Sequence, residues 1–240
     1  MKEKKVSEAI NFRRAVRVYD SNKKIDKKIV KKCIEQAILA PSSDNLQLWE
    51  FYHITSPKKL KQISYACFNQ PAAKTSQQIV IAVVRRKLWR SRAKMNSNFI
   101  KKNNPKDLNS KKIIGAINYY EKTIPNVYSD FFGILGFLKL IKSKIIGLYK
   151  PINKEVTYID KRIAGHKSTA LAAQNFMISM SAYGYDTCPM EGFDSDLLKK
   201  YLNLPKNSEI CMVIGCGIRS ENGIYGLRYR VPLKHVYFEK

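Results

Sequence analysis

An α+β fold, with a sheet layered between helices in a single domain, is predicted from three features of this 240-residue chain. Two short apolar runs, Ile79 to Val84 (IVIAVV) and Glu209 to Gly215 (EICMVIG), have the length and branched content of strands buried on both faces. A longer stretch, Lys161 to Tyr183, repeats Ala164, Ser168, Leu171, Ala172, Asn175, Phe176, Ser179 and Tyr183 at spacings of three and four, which predicts a helix buried almost all round. Helices and strands alternate irregularly and no GxGxxG follows a strand, which argues against a dinucleotide-binding βαβ domain.

The remaining elements follow from local signals. A helix is predicted over Val6 to Phe12 and another over Lys27 to Leu39, where Ile29, Val30, Cys33, Ile34, Ala37 and Ile38 recur at helical spacing, Asp26 caps and Pro41 ends the helix. Leu48 to Ile54 has the aromatic and branched content of a strand, and Pro57 opens a short helix. The polar stretch Lys101 to Ser110 interrupts the middle, with helices expected on both sides. Gly184 stops the long helix, and Asp194 or Ser195 begins a short one to Tyr201. Glycine and proline are scattered rather than clustered, so residues 1–240 read as one domain without a linker.

The net charge of +25, from 44 Lys and Arg against 19 Asp and Glu, raises the question of nucleic acid. Most of the excess is lysine spread along the whole chain, and no helix-turn-helix, zinc module or aromatic-basic motif accompanies it. A solvated lysine surface is the favoured reading, with no specific nucleic-acid partner. Cys33, Cys67, Cys188, Cys211 and Cys216 are odd in number and lack CxxC spacing, which points to a reducing compartment and to neither a disulfide framework nor a metal site. The first ten residues have no apolar core of a secretory signal, so a cytoplasmic location is expected.

Phe131 to Leu148 (FFGILGFLKLIKSKIIGL) is strongly apolar yet broken by Lys139, Lys142 and Lys144, and so is too charged to span a membrane. An amphipathic helix is expected, with Lys139 and Lys142 on one face and Leu138, Ile141 and Ile145 on the other. Packing over the core or a partner subunit is favoured; an interfacial membrane helix, or a lid over an active site, is the sharper alternative.

Four constellations carry chemistry. Arg13-Arg14-Ala15-Val16-Arg17 places three guanidinium groups within five residues, able to converge on one phosphate, although in so basic a chain a solvated face is the rival reading. Ala40-Pro41-Ser42-Ser43-Asp44-Asn45-Leu46-Gln47-Leu48-Trp49 is a turn whose hydroxyls and amides suit the edge of a heterocycle or a ribityl chain; its plain reading is an Asx or Ser turn. Thr187-Cys188-Pro189-Met190-Glu191-Gly192-Phe193-Asp194 lies where a strand ends and a helix begins, and its proline and glycine allow close backbone approach to a flat ligand. Finally, Gly215-x-Gly217 is followed by Gly226-Leu227-Arg228-Tyr229-Arg230-Val231-Pro232-Leu233, a second arginine pair.

Taken in this order, with Tyr19 after the first, the four resemble the nitroreductase family over nearly the whole chain except roughly residues 85–154. The resemblance implies a central mixed, mainly antiparallel sheet sandwiched between helices, an intertwined homodimer, and a variable substrate-pocket or lid segment at 85–154. It implies FMN as cofactor, with Arg13, Arg14, Arg17, Arg228 and Arg230 on its phosphate and Ala15 within the same stretch. Pro41, Ser42, Ser43 and Asn45 would reach the flavin from the other subunit, Asn69 would face its pyrimidine edge, and Pro189, Met190, Glu191 and Gly192 would lie beside N5, mainly through backbone groups. The sequence departs from the family pattern at Ala15, where Ser or His is common, and at Leu48, where a proline usually follows the glutamine.

The implied activity is NAD(P)H-dependent reduction of nitroaromatic, quinone or related acceptors by ping-pong hydride transfer. Flavin N5 rather than a protein side chain would carry the chemistry, consistent with a sequence that offers no triad, metal cluster or paired carboxylates. Among the histidines, His53 and His235 read as structural or solvated, and His166 is the one candidate proton donor. Tyr119, Tyr120, Tyr128, Phe131 and Phe132 are candidates to stack on a small-molecule acceptor or to pack the core. An FMN-binding or storage protein with little turnover is the alternative function.

Overall fold

The computed structural model describes residues 3–129 and 134–240. In chain order the elements are α1 (Val6–Phe12), α2 (Lys27–Ala37), β1 (Trp49–Ile54), α3 (Pro57–Ala66), α4 (Pro71–Lys74), β2 (Gln78–Val84), α5 (Trp89–Asn103), α6 (Lys111–Asn118), α7 (Ile124–Tyr128), α8 (Ile134–Ile146), α9 (Tyr158–Ala182), β3 (Asp186–Met190), α10 (Ser195–Tyr201) and β4 (Glu209–Gly217). The two apolar runs, β2 and β4, pair with each other at the centre of a four-stranded sheet of order β1-β2-β4-β3. Central placement explains their composition, since each strand is covered on both faces. From β2, Ile79, Ile81 and Val83 enter a core shared with Ile63, Ala66, Ala72, Ala73 and Leu198 of α3, α4 and α10. Val80 and Ala82 point the other way, into a second core with Val30 and Cys33 of α2 and Phe176, Met177 and Met180 of α9.

All the named strands pair antiparallel. The parallel component is an isolated bridge between Ala15 and Thr187, which lays the Arg13–Arg17 stretch along β3. No helix among the described residues is long and apolar enough to cross a membrane.

The element bounds differ from the sequence expectations in instructive ways. α2 ends at Ala37 rather than Leu39, because the N–H groups of Leu39 and Ala40 bond to carbonyls three residues back and tighten the exit before Pro41. α5 runs through Asn103 and so takes in the first part of the polar stretch that was expected to be a break. α9 is capped by Thr157 and Asp160 in a reciprocal box and begins earlier than the periodicity indicated. Its burial is one-sided: Ser168, Ala172, Ala173 and Phe176 pack inward, whereas Leu171 and Asn175 are exposed, because the sheet, α1, α2 and the turn at Ser43–Asn45 cover the inner side.

α8 forms as a helix, but Leu138, Ile141 and Ile145 face outward instead of packing on this chain's core. Lys139 does not share an outer face with Lys142; it turns inward and donates to the carbonyls of Asn126 (2.5 Å), Val127 (3.4 Å) and Ser129 (3.1 Å) at the end of α7. Phe131 and Phe132 lie outside the described residues.

Tyr19 ties the N-terminal segment to the sheet. Its hydroxyl donates to the Gly215 carbonyl (2.9 Å), its N–H donates to Thr75 Oγ1 (3.1 Å), and its ring lies over Gly217. A Cβ on Gly217 would stand 2.6 Å from that ring and one on Gly215 would stand 2.9 Å from the Ala72 carbonyl, so the Gly-x-Gly pair serves close packing. Nearby, the Asp186 carboxylate, 2% exposed, accepts from the Arg219 N–H (2.8 Å) and Nε (2.9 Å), and the Arg219 guanidinium stacks 4.4 Å over Phe12. α1, β3 and the exit of β4 are thereby joined.

Glu209 is the second electrostatic junction. Its carboxylate accepts from Arg86 Nε (2.7 Å), Arg162 Nε and His166 Nε2 (3.1 Å), linking β4 to α9 and to the segment after β2. Burial pushes this carboxyl up, but hydrogen bonds from His166, Arg86 and Arg162, with the charge of Arg86, outweigh it and hold the group below the usual glutamate range.

Two outcomes are expected. Gly217→Ala should lower stability by about 1–3 kcal/mol through overpacking against Tyr19, read as a lower Tm. Because the folded-state pKa of Glu209 is depressed, its contribution is present above the ordinary glutamate value of about 4.3 and is lost as pH falls through the folded value. Denaturant midpoints measured from pH 6 downward should therefore fall more steeply with acid in the wild type than in Glu209→Gln; equal slopes would contradict this.

Candidate functional site

The chain leaves α1 at Phe12 in extended form. Val16 N–H donates to the Thr187 carbonyl (3.2 Å), Arg17 N–H to the Gly223 carbonyl (2.7 Å), and the Val16 side chain is fully buried. These contacts pin the stretch between β3 and the loop after β4. The C-terminal stretch comes back to the same place: Arg228 Nη2 donates to the carbonyls of Asn11 and Arg13 (2.7 Å each), and Arg14 Nη2 donates to the Gly226 carbonyl (2.9 Å). The end of α1, whose last carbonyls lack helical partners, thus orients Arg228.

Around this junction is a cavity of about 490 Å³ whose walls include Arg13, Arg14, Arg17, Arg228 and Arg230 and, among the described residues, no acidic one. Ala15 lies in the same wall, as do Gln70, Pro71, Tyr225 and Tyr229. Burial lowers the Arg13 pKa, and the nearby positive charges of Arg228, Arg230 and Arg14 lower it further. The Cys188 thiol behind the cavity is pushed up by burial, partly offset by the charge of Arg17 and a hydrogen bond from it. A guanidinium carries five N–H donors, so the backbone bonds of Arg14 and Arg228 leave donors for a ligand. Gathered cations, spare donors and an acid-free wall fit an anion, and the volume fits a small molecule that carries one.

The loop after β3 lies beside this cavity. Gln70 Nε2 donates to the Gly192 carbonyl (3.0 Å) and the Cys67 carbonyl (3.2 Å), and Asp194 N–H donates to the Ala66 carbonyl (2.8 Å). Asp194 then caps α10 through Asp196 and Leu197 N–H. Glu191 and Gly192 are exposed, Pro189 is half-buried, and Met190 is only 2% exposed with its side chain in the core. A ligand can therefore meet Met190 through backbone atoms only. Asn69, in left-handed backbone at φ 50°, gives its N–H to the Ser64 carbonyl (2.9 Å) and accepts from Ser64 Oγ (3.3 Å). It is turned toward α3, and its neighbour Gln70 lines the cavity.

Pro41, Ser42, Ser43 and Asn45 are not among the walls of this cavity. Their turn is rigid: Asp44, Asn45 and Gln47 all have positive φ, between 48° and 55°, a conformation that Asn and Asp tolerate better than most side chains. Ser42 Oγ accepts from Gln47 N–H (3.1 Å), and Ser43 N–H donates to Ser168 Oγ of α9 (3.2 Å). The Asp44 carboxylate accepts from the hydroxyls of Tyr119 and Tyr128 (3.1 Å), which ties the turn to the variable segment. Hydrogen bonding to Asp44, with burial, pushes Tyr119 up to about 12. Tyr119 and Tyr128 thus act on the turn, and Trp89 packs against Tyr128.

His166 is held in the Glu209 junction and is absent from the cavity walls. His53 pairs with Gln78 (2.6 Å), and His235 is exposed near the C-terminus. Among the described residues no group of His, Cys, Asp and Glu is arranged to hold a metal. Gln70, Tyr225, Tyr229 and Asp44 were given no role by sequence reasoning; Tyr229 and Asp44 lie inside quoted motifs and Gln70 and Tyr225 next to named residues, and only that placement could have flagged them.

The family described as the Nitroreductase family matches residues 10–218. The Synechocystis protein DrgA is 25% identical over 224 residues, covering 90% of this chain and 84% of that protein. YdgI of Bacillus subtilis, named for an NAD(P)H nitroreductase activity, is 26% identical over 228 residues, with 94% and 93% of the two chains covered. A protein of Exiguobacterium sibiricum, solved in complex with FMN, superimposes with a TM-score of 0.70 at 22% identity, covering 100% of this chain and 99% of that one.

Proposed function

This chain belongs to the nitroreductase family, and from that premise we propose that it is an FMN-dependent NAD(P)H oxidoreductase whose arginine cavity holds the flavin phosphate. The observation that carries the reading is the convergence of five arginines from the two ends of the chain on one cavity with no carboxylate in its wall among the described residues. A phosphate dianion meets charge-assisted donors there and relieves the repulsion among them. Bound FMN would supply hydride acceptance from NAD(P)H at N5 and its delivery to a nitroaromatic, quinone or related acceptor.

The chain's own residues then have separable tasks. Arg13, Arg14, Arg17, Arg228 and Arg230 grip the phosphate. The backbone of Pro189, Met190, Glu191 and Gly192 lies beside the ring, kept in place by Gln70 and by the Asp194 cap. The turn with Pro41, Ser42, Ser43 and Asn45 completes the site from a second protomer, with Asp44 holding its shape.

Two observations support that homodimer. The turn is held by its own hydrogen bonds yet is absent from its own chain's cavity walls, and the chain exposes apolar residues on the outer side of α9 (Ile159, Ile163 and Leu171) and along the C-terminal stretch, where Leu227 is 98% exposed. The five free cysteines suit the reducing cytoplasm.

FMN titration followed by flavin fluorescence tests the reading. Arg13→Ala and Arg228→Ala should each weaken binding by roughly 10- to 100-fold, the loss of about 1.5–3 kcal/mol expected for a charged hydrogen-bonded group. Lys58→Ala should leave it unchanged. Equal effects at Arg13 and Lys58 would mean that only general charge acts. NAD(P)H oxidation with an added nitroaromatic or quinone should proceed in the FMN-loaded wild type; tight FMN binding without turnover would make this a storage protein instead.

A further inference from the structure

We propose that the outward face of α8 docks on an anionic phospholipid membrane, independently of whether flavin is bound. At about 100° per residue, Phe137, Ile141, Ile145 and Leu138 fall within roughly 100° of arc on this helix. All four are exposed, Leu138 at 55%, Ile141 at 42% and Ile145 at 56%. Lys144 lies about 20° beyond one edge of that arc and Lys142 about 40° beyond the other, and both are solvent-exposed. Leu148 and Tyr149, in the turn that follows, extend the apolar surface and are among the most exposed apolar residues of the chain.

The helix is seated by its polar side. Ser143 is buried and bonds its own helix at the Leu140 carbonyl (2.9 Å), and Lys139 reaches inward to the open carbonyls of α7. Leu140 and Ile146 are half-buried on this same side, so polar and apolar residues share the inward face while Phe137, Leu138, Ile141 and Ile145 stay outside. An apolar arc bordered by lysines on both sides is the pattern of a helix lying in a bilayer interface, where the apolar residues enter the acyl boundary and the lysines reach the headgroups.

Charge selects the occupant. Between Asp130 and Glu155 the chain has five lysines and no acidic residue. Lys142 and Lys144 border the apolar arc with positive charge, and anionic lipid brings the opposite charge to them together with an apolar phase for the arc itself. α8 is too short and too charged to cross the bilayer, so the contact is peripheral.

The test is co-sedimentation of the full chain with phosphatidylglycerol-containing vesicles and with pure phosphatidylcholine vesicles. Binding is expected to the first and not the second, to weaken with salt, and to fall by roughly tenfold or more in Leu138→Gln/Ile141→Gln/Ile145→Gln. The substituted positions are exposed, and an unchanged Tm and circular dichroism spectrum confirm that the variant folds. Ile141→Trp should show blue-shifted emission when anionic vesicles are added. Absence of binding, or equal binding of wild type and triple variant, would overturn the proposal. So would a triple variant that binds vesicles normally but loses self-association, placing a second copy on this face, or loses acceptor turnover, making α8 a lid.

Discussion

Guanidinium groups crowded into one cavity repel one another: two unit charges about 4 Å apart cost about 4 kcal/mol at an effective dielectric of about 20. Here five arginines line a single cavity with no carboxylate among its described walls, and burial together with the neighbouring charges lowers the Arg13 pKa. Stability alone gives no reason for such a gathering. The fold holds it together with backbone carbonyls, those of Asn11, Arg13 and Gly226, which accept from Arg228 and Arg14 without neutralising them. Net positive potential is left for an incoming anion.

Much of the surrounding architecture serves to fix that junction. Tyr19 over Gly217, the Ala15–Thr187 bridge, and Asp186 with Arg219 and Phe12 bring the two ends of the chain to the same side of β3. The loop after β3 is set by contacts to the end of α3 and to Gln70, so the wall beside the cavity comes from a third part of the chain. Rigid backbone interactions therefore place a cluster of long, flexible side chains, which is the arrangement that preorganises a binding site.

The central strands were legible in the sequence because continuous burial leaves a continuous apolar pattern, as in IVIAVV and EICMVIG, and the long helix because its residues recur at spacings of three and four. Arg13, Arg14, Arg17, Arg228 and Arg230 could be read as one set through the order of motifs, and the structure brings them to one cavity. Gln70 was not legible, because its role depends on a contact with Gly192 across more than a hundred residues of sequence. The one-sided burial of α9 was misread, and the cover of α8 was left open between core, partner subunit and membrane, for a related reason: periodicity shows which residues share a face, but not what covers it. The direction α8 faces was decided by Lys139, whose inward reach to α7 has no signature in the local sequence.

The central claim is that the arginine cavity is the phosphate site of a flavin. A crystal structure of the protein with FMN measures this directly. The account predicts the phosphate within hydrogen-bonding distance of Arg13, Arg14 and Arg228, with the ring running toward Gly192. Phosphate density elsewhere, with these arginines still facing solvent, would contradict it.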